Sequence, residues 1–247
     1  MGNSTSARID RVRTIHRALT DGAPTPLPPL RLSDAVGTVP LRTPSRTPSR
    51  ALDEMLRERR SRYDYAPLGH DDVSSLLRWA LGPQRTAHTA ASSGRTLNLH
   101  PSAGGLPSTT AYLVVLQPIE GVPPGVYAFH REAHHLVLHR TGDVRGAMAQ
   151  CLVQPEFAER APVILVLVGE LEAALARYSE RHYRTLHVDA GLAAANLYLV
   201  ATAFDLACCA ISGFYDDRLA EALSLTESQI PLLTFAVGAR RQIGEQR

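Results

Sequence analysis

Cysteine is scarce: the 247-residue chain carries three, Cys151, Cys208 and Cys209. Two are adjacent in an apolar run, so they offer no disulfide framework, and a reducing, cytoplasmic setting is expected. Thiols in apolar helix are also usually inert as nucleophiles. An excess of one charge is missing too. With 26 Lys+Arg against 24 Asp+Glu, nothing global directs the chain to nucleic acid or to a membrane surface. The opening MGNSTSARIDRVRTIHRAL is polar and basic with no apolar centre, so no secretory signal is read. The chain contains no Gly-x-Ser-x-Gly elbow, Walker loop or His-Glu-x-x-His. The common hydrolase and triphosphatase signatures are therefore absent. No repeat period of solenoid type occurs.

The longest apolar stretch lies within Tyr183 to Asp217. Its middle, Val188 to Cys209, contains no proline and is apolar on nearly every side. That pattern predicts a helix buried all round. Asp189, Asn196 and Asp205 interrupt it short of a membrane span, and Ser212-Gly213-Phe214 is expected to end it. Residues 23 to 49 are rich in Pro, Ser, Thr and Arg and predict an extended arm, lying over another surface or loosely ordered. The expected organisation is an N-terminal arm over 1–49 and a single domain over 50–247. Helical spacing marks Ala51 to Arg60 and His70 to Leu81, whereas residues 84 to 98 read as polar loop. Strands are expected at Ala111 to Leu116, in a hairpin made by Gly125 to His130 and His135 to His139, and at Leu232 to Gly238. Pro162 to Gly169 reads as a fully buried strand. Short helices are expected at Asp143 to Gln150 and Asp217 to Leu225. Scattered strands with helices grouped at the start and middle favour an α+β fold over a doubly wound sheet.

Several groups invite chemistry. Arg59-Arg60-Ser61-Arg62 and Arg240-Arg241 present paired guanidinium forks suited to phosphate, or else solvated surface charge. Pro101-Ser102-Ala103-Gly104-Gly105 is a small-residue turn over which a flat or phosphorylated ligand could come close to the backbone, or an ordinary turn before a strand. His130, His134, His135 and His139 alternate in a hairpin, so they do not converge into a tetrahedral set, and no metal is expected.

Taken in order, four motifs resemble the flavin-dependent nitroreductase superfamily, and within it the SagB-type dehydrogenases. These include the azoline oxidases of thiazole/oxazole-modified peptide biosynthesis. The motifs are Arg59-Arg60-Ser61-Arg62-Tyr63-Asp64-Tyr65 and Pro101-Ser102-Ala103-Gly104-Gly105-Leu106, then the hairpin from Gly125 with Gly142-Asp143. The fourth is Tyr178 with Arg181, Tyr183-Arg184, Asp189-Ala-Gly, Ala195-Asn196-Leu197 and Gly213-Phe214. The resemblance spans roughly residues 50 to 240. It implies a mostly antiparallel sheet flanked by helices, binding FMN as a homodimer with the flavin at the subunit interface. Arg59, Arg60 and Ser61 would then hold the ribityl-phosphate end, with Arg240 or Arg241 completing the clamp. Pro101, Ser102, Ala103 and Gly104 would lie along the isoalloxazine, and backbone near Gly213 would reach its reactive edge.

The implied reaction converts thiazolines or oxazolines in a ribosomally made natural-product peptide to aromatic azoles, with a cyclodehydratase as a possible partner. Related azoline oxidases carry a Lys-Tyr pair for proton transfer, and the matching pair here is Arg177-Tyr178. A guanidinium stays protonated in proteins and cannot act as a general base, so Tyr178 becomes the candidate. Two other readings remain open: a flavoenzyme acting on another small molecule with NAD(P)H, and a non-catalytic scaffolding subunit.

Overall fold

A computed structural model describes residues 2–18, 37–89 and 92–241. In chain order its elements are α1 (Gly2–Ala18), β1 (Gly37–Pro40), α2 (Leu52–Glu58), β2 (Tyr65–Ala66), α3 (His70–Leu81), β3 (Pro83–Thr89) and β4 (Ser92–Asn98). There follow β5 (Thr109–Val115), β6 (Gly125–His130), β7 (His135–Thr141), α4 (Arg145–Cys151), α5 (Glu156–Arg160), β8 (Val163–Glu170) and α6 (Leu171–Leu175). The chain closes with α7 (His182–Ala203), β9 (Leu206–Ile211), α8 (Asp216–Leu223) and β10 (Gln229–Arg240).

Eight strands form one sheet in the order β1-β7-β6-β5-β8-β10-β2, with β9 also paired to β10. Every pairing is antiparallel. Side-chain alternation builds a core on each face of the sheet. Leu113, Val115, Leu165 and Leu167 meet α3 and α7 on one side. Tyr112, Val114, Ile164 and Val166 meet α4, α5 and α8 on the other. Strand β8, central and covered on both faces, is buried along its whole length, as its branched composition requires. The architecture is the α+β sheet-and-helix arrangement that the pattern predicts.

Three expectations are corrected. The central helix ends at Ala203, not near Gly213: Asp205 turns the chain in the left-handed region at φ 56°, and Leu206–Ile211 becomes a strand paired to β10. A continuous apolar run cannot by itself separate buried helix from buried strand. Helix α7 is also not buried all round, since Val188 and Leu192 remain 59% and 38% exposed. Residues 84 to 98 are mostly a hairpin rather than loop, with Thr86 opposite Thr96. Polar β-branched residues there satisfy strand pairing without an apolar face to announce it.

Of the expected arm over 1–49, residues 19–36 lie outside the described residues; Gly2–Ala18 is helical, and Gly37–Pro40 pairs with β7 at the sheet edge. The following residues strap onto the start of α3. The Ser45 amide and hydroxyl bond Asp71 at 3.0 and 2.7 Å, and Arg46 reaches Asp72 at 2.6 Å. The hairpin histidines do not sit free on the surface. The His134 ring lies 2.8 Å from Ser74 Oγ, and His130 stacks on His135 with centroids 4.8 Å apart. Among the described residues no three His, Cys, Asp or Glu side chains converge as metal ligands.

Burial holds the imidazoles of His100, His134 and His182 below the ordinary histidine value. Each is favoured neutral in the fold, whereas the unfolded chain takes up protons near the ordinary histidine value of 6.5. Their contribution to stability is therefore present above that value and is lost as pH falls through the lower folded values. Denaturant midpoints should drop between about pH 7 and pH 5, and His100→Leu should make that drop shallower. An equally steep drop in the variant would show that His100 does not carry it.

Candidate functional site

The first patch forms where β2 meets the end of β10. Helix α2 stops at Arg59, whose amide closes the last turn on the Met55 carbonyl at 2.8 Å. The chain then runs extended, and the Arg62 amide donates to the Cys208 carbonyl at 2.9 Å. Pairing of Arg240 with Tyr65 and of Ala239 with Ala66 brings the second basic pair alongside. Burial, then Arg240 and Arg60, lower the Arg62 guanidinium below its usual value, so the positive charges are close enough to repel. The Arg59 guanidinium lies 5.2 Å from the Tyr198 ring centre. Ser61 Oγ is 3.0 Å from the Tyr198 hydroxyl, which accepts from the Ala210 amide at 2.8 Å. Arg240 is held by Asp205 at 2.7 Å, and the Arg241 amide bonds the Asp64 carbonyl at 3.1 Å.

Next to this patch is a pocket of about 590 Å3 lined by Tyr63, Tyr65, Phe157 and the Cys209 to Gly213 segment. The Gly213 carbonyl accepts from the Val153 amide at 2.9 Å, which fixes the far wall. Tyr65 is buried with its hydroxyl unpartnered, and burial raises its pKa. A buried phenol without a partner is costly unless something else completes it. The same burial pushes the Cys208 thiol up to about 12, so it offers no thiolate at neutral pH.

The second patch is the glycine turn. Ala103–Gly105 makes one tight 3-10 turn with Gly104 at φ 61° and Gly105 at φ 62°, a region that suits glycine. Asp189 of α7, 1% exposed, clamps the turn: Oδ1 accepts from the Ala103 amide at 3.0 Å and Oδ2 from Ser108 Oγ at 2.8 Å. Ser102 Oγ donates within the turn to the Leu106 carbonyl at 2.9 Å. The Tyr178 hydroxyl lies directly over Gly104, where a Cβ would collide with it. Its ring stacks on His182, centroids 4.4 Å apart and planes 11° apart. Arg177 is exposed beside it.

Asp189 and Tyr198 are nine positions apart on α7, which is about 13 Å along the axis and about 180° around it. Within one chain the two patches are therefore held on opposite sides of the same helix. Arg59, Arg60, Ser61, Arg240 and Gly213 belong to one, whereas Pro101 to Gly104, Arg177 and Tyr178 belong to the other. Two contributors were not singled out from sequence: Tyr198 and His182. Neither has a local signal, because helix register alone gives them their positions.

Residues 56–239 match the nitroreductase family. The chain belongs to that family. Among curated relatives, MJ1384 of Methanocaldococcus jannaschii, named as a nitroreductase, is 30% identical over 191 residues, covering 76% of this chain and 91% of that protein. The trifolitoxin operon protein TfxC of Rhizobium leguminosarum bv. trifolii is 28% identical over 118 residues, 47% of this chain and 33% of that one. Two solved structures under 25% identity share the fold. A nitroreductase-named structure from Anabaena variabilis gives a TM-score of 0.68 at 23% identity, covering 83% of this chain, which spans only 42% of that one. The Escherichia coli microcin synthetase McbBCD complex with truncated pro-MccB17 gives 0.60 at 22% identity, covering 80% of this chain and 76% of that one. Nitroreductase membership supports a flavin-dependent oxidoreductase.

The residues present fit FMN. A cluster of guanidiniums at one end suits a phosphate, and the pocket beside it has an unpartnered buried phenol. Charge-assisted bonds of this kind contribute about 1.5–3 kcal/mol each. Replacing Arg59 and Arg240 together by alanine should weaken FMN binding by about tenfold or more. Absorbance at the flavin band against protein absorbance reads the occupancy, and full occupancy in the double variant would remove the clamp.

Proposed function

We propose that this nitroreductase-family protein is an FMN-dependent dehydrogenase. In this reading it oxidises thiazoline or oxazoline rings to thiazoles or oxazoles in a ribosomally made natural-product peptide, within a homodimer. The observation that carries the reading is the placement of Tyr178 over the Gly104 turn, beside the exposed Arg177. Arg59, Ser61, Arg62 and Arg240 would hold the phosphate, and the turn at Ser102 to Gly104 would offer backbone to the flat ring. FMN supplies the acceptor for the hydride that leaves the azoline, with oxygen as the final oxidant. The chain supplies the proton path: Tyr178, as its phenolate, would accept the ring Cα proton and become the neutral phenol, and the Arg177 guanidinium would balance the phenolate charge before the transfer.

The chain contains no lysine, its 26 Lys+Arg residues all being arginine, so no side chain elsewhere supplies an amine base. This throws the proton transfer onto Tyr178.

Two further features support the homodimer. The turn and the arginine patch face opposite sides of α7, so one flavin touching both needs a second copy. Val188, Gly191, Leu192 and Ala195 also form an exposed small and apolar stripe between those two faces. The likeness to the microcin synthetase complex and to a trifolitoxin operon protein favours a peptide substrate and a cyclodehydratase partner over the small-molecule alternative. Incubation with an azoline-bearing precursor peptide tests the activity. The peptide should lose the mass of two hydrogens per ring oxidised, and an unchanged mass with rapid bleaching by NADPH would favour the small-molecule reductase.

A further inference from the structure

A second cavity, of about 330 Å3, lies at the end of the sheet behind the glycine turn. It shares no wall residue with the pocket beside Gly213. Its size is at the low end of the range for small-ligand sites, about 300–1,000 Å3. Leu81, Ala111, Phe129 and Leu167 give it an apolar wall. The polar wall is built from groups that water reaches poorly. Glu170 is 3% exposed, and Gln229 Nε2 donates to both of its oxygens at 3.2 Å. His100 is 4% exposed and makes no well-formed hydrogen bond, its nearest partner being the Ala80 backbone.

Arg131 faces the same cavity, half-buried, and among the described residues no hydrogen bond or ion pair holds its guanidinium. It and Glu170 feel each other's charge without forming a direct pair. Burial works against charge on all three groups, lowering Arg131 and His100 and raising Glu170. Opposite groups kept apart across a partly dry cavity are costly unless something between them satisfies both.

We propose that this cavity binds a free α-amino acid with an apolar side chain. The carboxylate pairs with the planar fork of Arg131, with His100 as a second donor. The ammonium meets Glu170, and the side chain lies against Leu81, Phe129 and Leu167. The site takes no part in the dehydrogenation and does not depend on that assignment.

Calorimetric titration of the full chain with L-phenylalanine, 3-phenylpropionate and L-phenylalanine amide tests it, since the last two each lack one of the charged groups. Phenylalanine should bind, and each analogue should bind at least about tenfold more weakly, because each gives up a charge-assisted contact. In Arg131→Met, with an unchanged circular dichroism spectrum, phenylalanine should bind no more tightly than its amide. Absence of phenylalanine binding at millimolar concentration would overturn the proposal. Binding of either analogue as tight as that of phenylalanine would do the same.

Discussion

Replacing Leu192 by glutamate should leave a folded monomer that retains little flavin. Leu192 is 38% exposed and Val188, one turn before it, 59% exposed. A carboxylate at 192 therefore meets water in the single chain and costs the fold little. In the proposed dimer the same position would be covered by a second copy, so the carboxylate would be buried there on each subunit. Uncompensated burial costs several kcal/mol per ion, which corresponds to association weakened by about a thousandfold or more. Flavin would be lost with the dimer because the Asp189-held turn and the Tyr198-held arginine patch would no longer meet across the interface. Sedimentation velocity and the flavin-to-protein absorbance ratio, read on one sample, check both parts. A Leu192→Glu protein that stayed dimeric with full flavin would place the interface elsewhere.

Tyr178→Phe is expected to abolish azoline oxidation while leaving flavin content unchanged. The phenolic oxygen over Gly104, as phenolate, is the atom proposed to accept the proton, and the ring stacked on His182 is preserved by phenylalanine. Loss of a general base lowers turnover by about 10²–10⁴-fold. The effect should fall on kcat with little change in KM, because only the transition state loses an interaction. Arg177→Lys offers a complementary gain. It restores an amine beside Tyr178 in a chain that otherwise has none, and a rise in rate with increasing pH would identify that amine as a base. Undiminished turnover in Tyr178→Phe would remove the residue from the mechanism.

Much of this site is legible in sequence because its parts are local. Arginines flanking Ser61 and small residues around Gly104 mark themselves by composition, and the shortness and branched content of the β8 run favour a buried strand. What was hidden depends on register or on pairing between distant segments. Tyr198 reaches Ser61 only because α7 turns it toward β9. His182, the first residue of α7, stacks on Tyr178 from four positions further along the chain. The strand Leu206–Ile211 reads like the helix before it until β10 is there to pair with it. The polar hairpin before the glycine turn has no apolar alternation, so its pairing is invisible to a pattern search.

The short strand Gly37–Pro40 lies outside the family match yet pairs with β7 from Leu138 to His135. Without it β7 would present an open row of amides and carbonyls, a template for any other extended chain. Pro40 at the end of this cover has no amide to offer, so it discourages growth beyond it. A chain shortened to residues 50–247 would keep both patches proposed to hold flavin but lose this guard. Its failure would be self-association through sheet edges, a matter of solubility rather than of catalysis.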